Sequence, residues 1–148
     1  MMMEVQIRSP KADELDSVRA VAPTVVDEIY GGLWAAPPLP IDEEDWSLAF
    51  IAVVDARVVG VVLTHDEWIS DLWVLRESRG QGVGQKLLAK GQSEISGGGF
   101  GTLRLRVVGS NLAAISFYLR NGWQVNREFP HEKLPVTMFE MTKTPCGP

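Results

Sequence analysis

The sequence holds a single cysteine, Cys146, set in a tail of proline and glycine. One thiol excludes an intrachain disulfide framework and a cysteine-rich metal site, and residues 143–148 are expected to form a loose end carrying it exposed. Histidines number 2, His65 and His131, and neither has metal-ligand spacing, so no metal is expected. Long apolar runs are missing too. Stretches such as Leu48 to Val54 and Val58 to Leu63 are strand-length, far below the ~20 residues that span a bilayer, so no membrane association is expected. Basic residues are in deficit, with Lys and Arg totalling 14 against 19 Asp and Glu, for a net charge of -5 and a pI near 5.0. Neutralising phosphates takes a surplus of clustered cations, so a nucleic-acid partner is not expected. The start, Met1-Met2-Met3-Glu4, lacks a basic region, a long apolar run and a small-residue cleavage site, which makes a cytoplasmic location the expectation.

What remains is an ordinary globular balance: 148 residues, 45% apolar and 22% charged, without internal repeat or low-complexity tract. The length suits one domain, 1–148. Glu4 to Arg8 alternates like a short strand. Leu15, Val18 and Ala22 then share a helical face that Pro23 is expected to end or kink, and a second short helix is predicted from Val25 to Tyr30. Gly31-Gly32 and Pro37-Pro38-Leu39-Pro40 mark an irregular segment, with Trp34 and Trp46 flanking the acidic run Asp42 to Asp45. Leu48 to Val54 and Arg57 to Thr64, separated by Asp55-Ala56, read as a hairpin, and Glu67 to Leu75 as a third strand.

Beyond Arg79 the pattern changes. A glycine-rich turn opens a helix whose Gly84, Leu87, Leu88, Gly91 and Ile95 fall on one side, and Gly97-Gly98-Gly99 ends it. Thr102 to Val108 is a strand, Ser110-Asn111 starts a helix to about Asn121, and Gly122 is placed to stop it in the left-handed conformation. Trp123 to Phe129 and Val136 to Thr142 close the sheet. The fold class is α/β (α+β): a mixed, mostly antiparallel sheet of about seven strands with helices on both faces.

The strongest chemical signal is Arg79-Gly80-Gln81-Gly82-Val83-Gly84, set between a strand and an amphipathic helix. Glycines there let backbone N-H groups converge, and the helix start adds partial positive charge, so the turn suits a polyanion such as a pyrophosphate. A P-loop would require Gly-Lys-Ser/Thr, which Gly84-Gln85-Lys86 does not supply. A dinucleotide turn needs glycine or alanine at Gln85 and a place after the first strand. Neither nucleotide motif fits. Arg76, Arg79, Lys86 and Lys90 form a local positive cluster around this turn in an otherwise acidic chain. Asn111 and Tyr118, seven apart, lie almost on one line of their helix, with Ala114 offering little bulk between them. Glu67, Ile69, Asp71 and Trp73 alternate onto one face of their strand, so Glu67 and Asp71 are expected to point the same way.

Arg79, Gly82 and Gly84 match the Arg/Gln-x-x-Gly-x-Gly/Ala signature of the GNAT superfamily of acetyl-coenzyme A-dependent N-acetyltransferases. Asp71-Leu72-Trp73-Val74 resembles that family's strand before the turn. Asn111 to Tyr118, followed by Gly122-Trp123, resembles its second signature, with a helix and a strand of the expected length between. The resemblance is specific from about Asp71 to Trp123 and implies direct acetyl transfer from acetyl-CoA to an amine-bearing acceptor. It implies that Leu72, Trp73 and Val74 receive the pantetheine arm between splayed strands, that Arg79, Gly80, Gln81, Gly82, Val83, Gly84 and Gln85 surround the diphosphate, and that Asn111 and Tyr118 face the cofactor. Tyr118 then protonates the departing thiolate, and either Asp71 or Glu67 is the general base. Ser70 stands where some polyamine-acetylating relatives carry a second acid, a departure that argues against a polyamine acceptor. The acceptor and the oligomeric state stay open, a homodimer being common among relatives. A non-catalytic acyl-CoA-binding module is the alternative.

Overall fold

A computed structural model describes residues 4–30, 45–132 and 134–144. Trp34, most of the acidic run from Asp42, and Cys146 with most of its tail lie outside the described residues.

The described chain runs β1 (Gln6–Arg8), α1 (Leu15–Tyr30), β2 (Phe50–Val54), β3 (Arg57–His65), β4 (Trp68–Val74), α2 (Val83–Gly97), β5 (Leu103–Val108), α3 (Leu112–Arg120), β6 (Gln124–Pro130) and β7 (Thr137–Lys143). The strands form one sheet in the order β1-β2-β3-β4-β5-β7-β6, antiparallel except for the central β4–β5 pair. Strand number, mixed sense and helices on both faces agree with the sequence reading. α2 and α3 share one hydrophobic core with one face of the sheet through Leu87, Leu88, Ile95 and Ile115, while α1 buries Val18, Val21, Ala22 and Val25 against the other.

Two local expectations are corrected. The two helices predicted on either side of Pro23 are one continuous α1. Proline removes one intrahelical N-H, yet Val18, Val21, Ala22, Val25, Val26 and Tyr30 are all buried along a single face, and that packing outweighs the lost bond. One residue on, the Thr24 hydroxyl donates to the Ala20 carbonyl at 2.7 Å.

The second correction lies in β4. Its pairing with β3 jumps from Leu63↔Asp71 to Thr64↔Ile69, so Ser70 is an extra residue, a β-bulge. Strict alternation therefore fails: Ile69 packs into the α2 core, whereas Asp71 lies with Trp73 on the α1 side, its carboxylate accepting from Trp73 Nε1 at 2.8 Å. Glu67, Ile69, Asp71 and Trp73 do not share one face.

Close packing sets where α2 begins. At Gly60 of β3 an added Cβ would stand 2.8 Å from Leu87 Cδ1, and at Gly91 of α2 one would stand 3.0 Å from Val62 Cγ2. Two absent side chains let the helix settle onto β3 and β4, which brings its N-terminus to the end of β4.

Candidate active site

β4 and β5 register at a single pair, Trp68↔Arg104, supported by Arg104 N donating to the Glu67 carbonyl at 2.9 Å. From there the two strands part. Ile69 to Val74 and Leu105 to Val108 line opposite sides of a cavity of about 330 Å³ that Val25, Val26, Ile29 and Tyr30 of α1 roof over. A second cavity, about 530 Å³, continues past the glycine turn between Gly80, Gly82, Gly84 and Gln85 on one side and Ala113, Phe117, Arg120 and Asn121 of α3 on the other. Leu72, Val74, Arg79, Asn111, Ala114 and Tyr118 belong to both, so the two form one cleft. The facing edge of β4, unpaired over most of its length, can take an extended ligand as an added strand would.

At the turn, Gly80 and Gly82 have φ of +76° and +83°, a left-handed backbone that glycine adopts without strain. Beyond the adjoining residues no atom lies within 4 Å of where a Cβ would stand at either, so the turn is open. Gly82 caps α2 without any side-chain bond, and the N-H of Lys86 reaches the Gly82 carbonyl at 3.1 Å. The N-H groups ahead of Lys86 are the orphan donors every helix start leaves, and with the helix dipole they favour an anion. The donor set and the length of the cleft fit a diphosphate with an extended arm, which is the shape of a coenzyme A thioester.

Of the predicted positive cluster, Arg79 lines the cleft at this turn, while Arg76, Lys86 and Lys90 line neither cavity. Arg79 turns back, its Nε donating to the Val74 carbonyl at 3.0 Å and its Nη2 meeting Glu28 of α1 at 2.6 Å. Arg76 also faces Glu28, at 3.7 Å. Lys90 lies 4.4 Å over the Phe50 ring, and Lys86 lines a separate groove beside Leu88 and Gln92. Arg79 is thus a brace between the end of β4, the turn and α1. Arg120 of α3 is the basic residue on the cleft's far wall, and the motif reading missed it because it lies outside the glycine signature.

Tyr118 stands where the two cavities meet. α3 ends in a Schellman motif: Trp123 N donates to the Tyr118 carbonyl at 3.0 Å, Gly122 N to the Leu119 carbonyl at 3.2 Å, and Gly122 has φ +90°. The same motif brings the Trp123 ring edge-on to Tyr118, with centroids 6.0 Å apart. Only 9% of Tyr118 is exposed, and among the described residues no hydrogen bond ends on its hydroxyl. Burial pushes this phenol far above its ordinary range, and the neighbouring Tyr30 adds to the effect, so Tyr118 keeps its proton at neutral pH.

Asn111 combines two duties. Its Oδ1 accepts from Ala114 N at 3.1 Å and caps α3, while its Nδ2 donates to the Tyr30 hydroxyl at 2.9 Å. Tyr30 was not marked by any motif. Its phenol is raised by burial, opposed in part by the Asn111 bond, and it joins the cleft because α1 runs unbroken past Pro23.

The two candidate bases part company. Asp71, 9% exposed, lines the smaller cavity together with Tyr118. Glu67 sits beyond the strand junction, paired with Arg104 at 3.3 Å, and lines neither cavity. Among Gln81 and Val83, the first flanks the open turn and the second is buried beneath it at 1% exposure. Among the described residues no cluster of three or more His, Cys, Asp or Glu side chains could hold a metal ion.

Parted parallel strands leading to an open glycine turn, with a buried phenol where the two cavities meet, form a framework suited to a transferase that uses an acyl thioester. The acetyltransferase (GNAT) family model matches residues 23–123, and the chain belongs to that family. It is an N-acetyltransferase. A protein of Methanocaldococcus jannaschii described as an uncharacterized N-acetyltransferase is 29% identical over 136 residues, covering 84% of this chain and 81% of its own length. Among solved structures, Ard1 from Thermoplasma volcanium superposes with a TM-score of 0.76 at 23% identity, covering 95% of this chain and 97% of that one. The PaiA N-acetyltransferase from Thermoplasma acidophilum, solved in complex with coenzyme A, gives 0.73 at 20% identity, covering 96% and 99%.

Proposed function

We propose that this protein moves an acetyl group from acetyl-coenzyme A directly to a primary amine held in the smaller cavity. The observation that carries this reading is the single continuous cleft, with an open glycine turn and its main-chain N-H donors at one end and Tyr118 lining both of its cavities. Acetyl-coenzyme A supplies the activated acetyl group. The turn from Gly80 to Gly84 holds the diphosphate through backbone N-H groups, and the free edge of β4 at Leu72 to Val74 receives the arm. Asp71 takes the proton that the ammonium form of the acceptor must lose before its nitrogen can attack. It is favoured over Glu67 because it shares the cavity with Tyr118, while Glu67 is committed to Arg104. Tyr118 donates its hydroxyl proton toward the sulfur as the carbon–sulfur bond breaks, and the second proton, which the attacking nitrogen sheds as it becomes an amide, restores the phenol. Its raised pKa suits hydrogen-bond donation, since a standing phenolate would be unsolvated there. No acetyl-enzyme is required, because acceptor and donor can meet in one cleft and the gain is positional.

The test is release of free coenzyme A thiol from acetyl-CoA across a panel of primary amines. Amine-dependent release supports transfer. Tight binding of acetyl-CoA without release on any amine would instead favour an acyl-CoA-binding module.

A further inference from the structure

On the α1 side of the sheet, around the strand junction, aromatic and basic side chains alternate. Arg106 Cζ lies 5.5 Å from the Trp68 ring and 5.1 Å from the Phe129 ring, and Arg127 Cζ lies 4.5 Å from the same Phe129 ring. Three arginines occupy this region, and they differ in what holds them. Arg104 is committed to two carboxylates, Glu67 and Glu140, each at 3.3 Å. Arg127 faces Glu140 at 3.6 Å. Arg106 meets Glu132 at 3.5 Å, a long contact between side chains 45% and 66% exposed, the kind of surface pair that contributes little. Arg106 is also the member of the three that lines the smaller cavity, across the parted strands from Asp71.

Two aromatic rings fix the position of this guanidinium yet satisfy few of its five N-H donors. A held but underused guanidinium at the mouth of a cavity is suited to a carboxylate, which it can grip through two parallel hydrogen bonds. Asp71 supplies the opposite charge inside the same cavity. We infer that Arg106 binds a carboxylate of the acceptor, so that the acceptor is a small molecule carrying both an amine and a carboxylate, an amino acid in the broad sense. The inference rests on the acetyl-transfer reading above. A cavity of about 330 Å³ is at the small-molecule end of ligand sites, which agrees.

The experiment compares thiol release on a set of amino acids with release on the carboxamide and the decarboxylated amine of each, at equal concentrations of free base. The expected result is a kcat/KM for the carboxylates about tenfold or more above their neutral partners, matching the loss of charge-assisted bonds. In Arg106→Gln the preference collapses through KM with kcat within about twofold, and Arg106→Lys restores part of it. Arg127→Gln, in the same ladder but away from the cavity, leaves the preference intact. Equal kcat/KM for all three acceptor forms in the unaltered protein, or a preference that survives in Arg106→Gln, overturns the inference while leaving acetyl transfer standing. Absence of thiol release on every acceptor, with acetyl-CoA still bound, overturns both.

Discussion

The two ends of the cleft offer different kinds of chemical group. At the glycine turn the groups on offer are main-chain N-H donors, placed by left-handed glycines and by the start of α2. At the other end they are side chains, Asp71, Tyr30 and Arg106, placed by a β-bulge, an unbroken helix and an aromatic ladder. A site made of backbone depends on local φ and ψ and suits a donor molecule of fixed shape. A site made of side chains changes with each substitution, which is where a family can diversify its acceptors.

Four substitutions break or sharpen that contrast. The largest effect is expected at the point where the two ends meet: Tyr118→Phe lowers kcat by about 10² to 10³, with acetyl-CoA affinity within about threefold by calorimetry. A protein that keeps most of its turnover would show that the phenol is a wall rather than a donor. Next, Asp71→Asn lowers kcat/KM by about 10² while keeping the Trp73 bond, and Glu67→Gln leaves it within about threefold. The reverse order of effects would move the base to the strand junction. At the backbone end, Gly82→Ala imposes a left-handed residue at a cost of about 1–2 kcal/mol. Acetyl-CoA affinity should fall by about tenfold with kcat at saturation within about twofold, separating the ends by a KM-against-kcat split.

The smallest effect lies away from the cleft. Glu14 is pulled from 4.5 to about 2, first by the side-chain bond from Arg8 and then by Lys11 N-H. A depressed carboxylate contributes fully above its unfolded value and loses that contribution as pH falls through the folded one. The difference in denaturation midpoint between the unaltered protein and Glu14→Gln should therefore shrink between pH 4.5 and about 2, with activity at neutral pH unchanged.

The same contrast explains what could be read from the chain alone. Elements defined by local backbone chemistry were legible: the Asp55-Ala56 hairpin turn, the glycine turn before α2, and Gly122 closing α3. So was the line of Asn111, Ala114 and Tyr118, since it follows from 3.6-residue periodicity and all three reach both cavities. Features set by pairing across the fold were not. Nothing in Glu67-Trp68-Ile69-Ser70-Asp71 announces that Ser70 is an extra residue, so strict alternation placed Glu67 and Asp71 together. Pro23 signalled a break that tertiary burial of α1 overrides, and with the helix divided, Tyr30 had no route to the cleft. The clustered Arg76, Arg79, Lys86 and Lys90 looked like an anion site because sequence proximity hides Glu28, Phe50 and the Val74 carbonyl, which occupy three of the four.

The most direct measurement compares the melting of the protein with acetyl-CoA and with acetylpantetheine, the same arm and thioester without the diphosphate. If backbone donors at Gly80 to Gly84 hold the diphosphate, acetyl-CoA at 100 times its dissociation constant stabilises the fold by about 2.7 kcal/mol, and acetylpantetheine at the same concentration barely moves the transition. An unmoved transition with acetyl-CoA, or an equal shift with acetylpantetheine, would contradict the account.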